Sequence, residues 1–362
     1  MLAPVTAPDT EITADRPRTV LKVVGRVAVV VVALVIAGFV LVNIFDDLDP
    51  AAIRDALQEL SDAEWLALFF GWLIWVGCQG LQTASLVHGM PARRGVLASL
   101  GPTAVSSVFP GPSDLPVRYA MYQSWGISNN EAGTAVASSG IFSIGSQLAL
   151  PAIAGVLIFF GDIQLDGFLS IIIAATLVLA VAIVVVGFTL GSADRTARAA
   201  ERLERPYRAV LHLFRRPEPE RPLADTVLEQ RAMSVAHLSD KWLGTTAATI
   251  VTVAAKCSLL VMTLRFVGIP EDALGWTAIF AVYALVAGIT TLPISPGSAG
   301  VAEVAYIGML TPIAGDAYVN EVAAGVLLFR LMTWILIIPA GLGALGVWKY
   351  GLRAEARAAE AA

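Results

Sequence analysis

The chain is crossed by apolar runs too long for a soluble fold. A membrane-spanning helix needs roughly 20 apolar residues, and six segments supply them: about 23–45, 65–87, 134–160, 168–190, 242–266 and 322–347. Only helices and closed barrels satisfy every backbone polar group inside a bilayer. Runs of this length predict helices. The expected fold class is therefore all-α, a polytopic integral membrane helical bundle. The charged fraction, 15%, agrees, since soluble domains average nearer about 25%.

Two further apolar regions, about 96–131 and 274–318, are interrupted. The second contains Leu292-Pro293-Ile294-Ser295-Pro296-Gly297-Ser298-Ala299-Gly300-Val301-Ala302-Glu303. Pro293 and Pro296 each remove a backbone donor and clash with the preceding turn. Gly297 and Gly300 permit backbone angles closed to other residues. Such a stretch survives at membrane depth only where it is buried in protein or lines a wet cavity, and broken membrane helices of this kind often mark a transport site. The earlier region holds Phe109-Pro110-Gly111-Pro112-Ser113-Asp114-Leu115-Pro116-Val117-Arg118, a second break.

The two breaks belong to an internal repeat. Pro110-Gly111 and Pro296-Gly297 are 186 residues apart, Asn130-Glu131 and Asn320-Glu321 are 190 apart, and the late prolines Pro151 and Pro339 are 188 apart. The halves run over about 65–160 and 242–347. Lys and Arg mark the cytoplasmic ends of spans. Arg16, Arg18, Lys22 and Arg26 precede the first span, after a polar tail over residues 1–19. The loop 46–64 holds seven carboxylates against Arg54 alone, and 161–167 is acidic with no basic residue. The loop 191–241 and the tail 349–362 are rich in arginine. Both termini and 191–241 are thus expected in the cytoplasm of a multi-pass plasma-membrane protein, with 46–64 and 161–167 outside. Leu203, Tyr207, Val210, Leu211 and Phe214 recur at helical spacing among the arginines of 191–241, which suits an amphipathic helix on the inner leaflet or a solvated connector. On these signs equivalent spans of the two halves cross in opposite directions. If each interrupted region is a re-entrant hairpin, the halves form an inverted repeat of six full spans and two broken hairpins. The competing arrangement has each interrupted region crossing fully.

Ionisable groups at membrane depth are functional candidates by default. Asp114 and Arg118 are four residues apart in the first break; they read either as a binding pair or as interfacial groups that snorkel. Arginine suits phosphate through its planar fork of donors. Arg330 lies among apolar neighbours in the last span and requires a carboxylate or an anionic ligand, with Glu303 as its natural partner; that pair is either structural or ligand-binding. Lys256 and Gln147 are the other candidates for contact with an anionic substrate, Lys256 toward Asp114 or toward the substrate itself. The net charge of −5 suggests no nucleic acid. The spacing of three histidines and two cysteines suggests no metal, disulfide framework or cofactor. No nucleotide loop, nucleophile elbow or metal-hydrolase motif is visible, so no catalytic residue is named.

The motif Pro293-x-x-Pro296-Gly297-x-x-Gly300-x-x-Glu303, with Arg330 downstream and the earlier Pro110-Gly111 element carrying Asp114 and Arg118, resembles the transmembrane region of bacterial lysylphosphatidylglycerol synthases, a flippase-like domain that also occurs alone. The resemblance covers about residues 20–348. Ser113 stands where that family usually has Gly, and Ser139-Gly140 stands where register with Phe329-Arg330 would place a Glu-Arg pair. The resemblance implies translocation of an anionic or aminoacylated phospholipid, or of a polyprenyl-phosphate-linked lipid, between leaflets. About 15 residues follow the last span, so a unit without the synthase domain is expected, partnered by its lipid and by a lipid-modifying or glycosyl-transferring enzyme. A membrane-embedded transferase and a non-transporting scaffold for a cell-envelope enzyme are the alternatives.

Overall fold

The computed structural model describes residues 50–109, 113–160, 223–291 and 296–360, with residues 194, 197, 198, 201, 202 and 204 between them. The described residues form helices and no strand: α1 (Pro50–Gln58), α2 (Asp62–Ser85), α3 (Ala92–Val108), α4 (Asp114–Ser124), α5 (Asn129–Phe160), α6 (Leu223–Phe266), α7 (Trp276–Ile289), α8 (Val301–Ala314), α9 (Val319–Arg330) and α10 (Ile337–Glu360). Short 3-10 turns cover Pro296–Ser298 and Asp316–Tyr318, and a π-helical turn over Leu331–Ile335 joins α9 to α10.

Four helical stretches are long and apolar enough to cross a membrane: Asp62–Ser85, Asn129–Gly155, Trp242–Phe266 and Asp316–Ala354. They coincide with four of the six expected spans. The other two, 23–45 and 168–190, lie outside the described residues, as do the tail 1–19 and most of the loop 191–241. Local chemistry sets the ends. α2 starts at a capping box in which Glu64 N–H donates to Ser61 Oγ at 3.4 Å and Ser61 N–H donates to Glu64 Oε2 at 2.8 Å. On its outer face α2 exposes Leu66, Phe69, Phe70, Leu73, Ile74 and Leu81, a surface that suits lipid tails and not water.

The interrupted regions each form two short helices packed on one another, α3 with α4 and α7 with α8. α7 and α8 have 14 residues each, about 21 Å at the helical rise, against roughly 30 Å of hydrocarbon. α7 is nonetheless enclosed, with Ala278, Ile279 and Ala281 to Val286 all buried, as a helix apolar all round must be. Pro102 and Pro312 stand inside α3 and α8 without ending them.

Three packings run antiparallel. As α2 ascends through Gly71, Gln82 and Ser85, its partners in α6 descend through Leu259, Thr249 and Thr245. α3 meets the last span through Leu100 against Gly341, Gly101 against Leu345 and Ser107 against Trp334. α7 meets α5 through Gly288 against Pro151 and Thr291 against Gln147. The first helix of the first broken region, α3, therefore packs on the last span, and that of the second, α7, packs on α5.

Candidate functional site: two broken helices facing adjacent cavities

In the second broken element, Gly297 and Ser298 both have φ of +56° and Gly300 has φ of +80°. The 3-10 turn that they make turns the Gly297 carbonyl toward the last span. A Cβ on Gly297 would lie 2.0 Å from Trp334 Nε1, so both backbone angle and space require glycine there. Glu303 sits in the first turn of α8, where a carboxylate suits the helix dipole, and is 2% exposed. Arg330 ends α9. Its Nε donates to Glu303 Oε1 at 2.6 Å and its Nη2 to the Gly297 carbonyl at 2.6 Å. The guanidinium also lies 5.1 Å from the centroid of the Trp334 ring, a cation–π contact. Glu303 Oε2 is buried without a protein partner.

Trp334 reaches this position because the helix widens into a π turn, with Leu336 N–H donating to Leu331 O at 2.8 Å. Pro339 accounts for the loosened turn: it lacks an N–H and its ring crowds the carbonyl four residues back, that of Ile335. π turns of this kind recur at functional sites. Trp334 Nε1 donates to the Ser107 carbonyl at 3.3 Å, so one indole touches the end of α3 and the turn of the second broken element.

In the first broken element, Pro110 and Gly111 lie outside the described residues, as Pro293 does in the second. Asp114 and Arg118 share one face of α4, with Arg118 Nη2 3.5 Å from Asp114 Oδ2 and side chains 11% and 24% exposed, respectively. Arg118 Nη1 donates to Ser139 Oγ in α5, and Arg118 Nε is buried without a partner. Both arginines thus keep donor capacity beyond their own carboxylate.

Each arginine faces a cavity. One of about 260 Å³ is lined by Arg330, Gly297, Gln147 and Tyr306, among others. The other, of about 420 Å³, is lined by Asp114, Arg118, Ser139 and Gln79, among others. Ser146, Val253, Lys256 and Tyr283 line both. Lys256 lies 5.6 Å from the Trp75 ring centroid and makes no ion pair or hydrogen bond among the described residues, so its ammonium rests on an aromatic face at the common wall. Gln147 Nε2 donates to Ser143 Oγ at 3.1 Å, and its Oε1 accepts from Thr291 at 3.3 Å. Burying an unpaired charge in apolar surroundings is costly. Three basic side chains, Arg118, Lys256 and Arg330, thus stand against two carboxylates around the two adjacent cavities.

Five of the six expected charged or amide residues border the two cavities, and the sixth, Glu303, is bonded to Arg330. Sequence reasoning missed Trp334, Trp75, Tyr283 and the hydroxyl of Ser139. Trp334 stands four residues after Arg330, the spacing that stacks side chains on one helix face, and that was its available signal. A search of curated proteins finds no match to the chain. A match to the lysylphosphatidylglycerol synthase TM region family extends over residues 27–341, most of the chain and both broken elements, and the protein therefore belongs to that family.

Proposed function

We propose that the protein carries a lipid with an anionic headgroup, an aminoacylated phospholipid or a polyprenyl-phosphate-linked lipid, between the two leaflets of the plasma membrane. The observation that carries this reading is Lys256 at the wall common to two cavities, one bordered by Arg118 of the first broken element and the other by Arg330, which bonds the turn of the second. A headgroup crossing the midplane exchanges water for fixed donors, because an unsolvated phosphate in a low-dielectric medium is prohibitive. Arg118, Lys256 and Arg330 supply three successive stations, and arginine stays charged at any depth.

The packing supports an inverted repeat over the halves 65–160 and 242–347 with re-entrant hairpins between them. Leu100 and Gly288 are 188 residues apart, the offset of Pro151 and Pro339. Leu100 packs on Gly341 beside Pro339, while Gly288 packs on Pro151. Such exchanged contacts are what a two-fold relation produces. The antiparallel course of α2 and α6, the proposed equivalents in the two halves, fits an axis in the membrane plane, as in alternating-access carriers. Both termini are then cytoplasmic, and a lipid-modifying or glycosyl-transferring enzyme delivers or consumes the lipid.

The test is purified protein in liposomes carrying fluorescent phosphatidylglycerol on one leaflet. Equilibration between leaflets, with lipid unchanged by mass spectrometry, is expected. A new lipid species would replace carriage with transferase chemistry, and neither outcome, across anionic lipids, would refute the reading.

A further inference from the structure

A third pocket, of about 320 Å³, lies at one end of the bundle between the first broken region and the C-terminal helix, and shares no lining residue with the central cavities. Its walls include Arg93, Arg94 and Leu97 of α3, Trp125 after α4, and Trp348 and Leu352 of α10. The volume is at the small end of the ligand-site range.

The charges here are unspent. Among the described residues, neither Arg93 nor Arg94 makes an ion pair or a side-chain hydrogen bond. Arg94 lies 5.3 Å from the centroid of Trp125; a guanidinium held over a ring keeps its N–H edges free for an anion. Both arginines occupy the first turn of α3, whose N-cap, Pro91, provides no side-chain cap, so the positive end of the helix adds to their field. The aromatic wall is braced, because Trp348 Nε1 donates to Ser124 Oγ at 2.8 Å.

The surroundings are those of a membrane interface. Lys349, Arg353 and Arg357 follow Trp348 on α10, and paired tryptophans are typical at headgroup level. Toward the apolar zone, α10 exposes Val347 and Leu342, 62% and 60%, with Gly343 and Gly346 meeting nothing within 4 Å. A phosphate in the pocket therefore has beside it a shallow apolar track suited to an acyl chain.

We propose that this pocket binds the phosphate of an anionic phospholipid of the surrounding leaflet, separate from any lipid in the central cavities. Basic pockets between membrane helices commonly hold such headgroups. The lipid clamps α3 and α4 to α10, and through α4 it braces the element that carries Arg118.

The test follows thermal unfolding in neutral detergent as phosphatidylglycerol, phosphatidylcholine or inorganic phosphate is added, with native mass spectrometry counting retained lipids. Phosphatidylglycerol alone is expected to raise the unfolding midpoint of the unaltered protein. In the double variant Arg93→Gln/Arg94→Gln that rise shrinks to what the central cavities contribute, one retained lipid disappears, and affinity at this pocket falls about tenfold for each arginine. Arg54→Gln, at an exposed position of α1, keeps the full response. An equal rise with phosphatidylcholine or with inorganic phosphate in the unaltered protein would overturn the proposal without recourse to a variant. So would a double variant that retains the full phosphatidylglycerol response and the same number of bound lipids.

Discussion

Arg330 and Glu303 form a tight buried pair, and separating its structural role from its transport role takes two variants. Arg330→Ala removes a donor 2.6 Å from Glu303 Oε1 and another 2.6 Å from the Gly297 carbonyl. It leaves a carboxylate that is 2% exposed and has no other protein partner on Oε2. Breaking a buried pair in this way costs about 3–5 kcal/mol, and loss of the Trp334 stack adds about 1 kcal/mol. A fall of that size shows in the thermal midpoint in detergent and confounds any loss of transport. Arg330→Lys does not repair it, because one ammonium cannot match a planar fork bonded to two acceptors on different turns. The double replacement Arg330→Met/Glu303→Met removes both charges, and buried pairs replaced by apolar residues often lose little stability. The expected result is a midpoint close to that of the unaltered protein with leaflet equilibration of phosphatidylglycerol abolished. A double variant that still transports would show that Arg330 serves only to neutralise Glu303, and would remove it from the path.

Arg118→Ala is expected to abolish equilibration at a smaller stability cost than Arg330→Ala, because Asp114 is 24% exposed and can rehydrate; a transporting Arg118→Ala variant would refute its role. Gly297→Ala should cost about 1–2 kcal/mol from the left-handed backbone alone, and more from displacing Trp334, whereas Gly308→Ala, with nothing within 4 Å of its added methyl, should leave the midpoint unchanged or raised; equal midpoints for the two variants would refute the argument. With Cys78 and Cys257 replaced by serine, an impermeant thiol reagent is expected to label Glu59→Cys in intact cells and to reach Ala200→Cys only after permeabilisation. External labelling at position 200 would overturn the proposed orientation.

Much of the architecture is local and was therefore readable in the residues. Span lengths follow from runs of apolar residues, and all four expected spans that fall among the described residues reappear as helices of sufficient length. The break at Pro296-Gly297 follows from backbone chemistry that no neighbour can override. The partnership of Glu303 with Arg330 was also legible, since an arginine set among Leu327, Leu328, Phe329 and Leu331 has to find a carboxylate or an anion. What the residues alone left open depends on which distant surfaces meet. Nothing near Lys256 in the chain indicates that Trp75, far away in α2, would hold its charge at a wall shared by two cavities. Ser139 looked like the loss of an expected Glu-Arg pair, yet its hydroxyl receives Arg118 from another helix. Trp334 joins the two broken elements only because Pro339 loosens the helix into a π turn and α3 ends beside it. Covalent sequence determines hydropathy, breaks and the need for a counter-charge, all set within a few residues; tertiary packing alone decides which donors stand around two adjacent cavities, because that depends on helices crossing at points far apart in the chain.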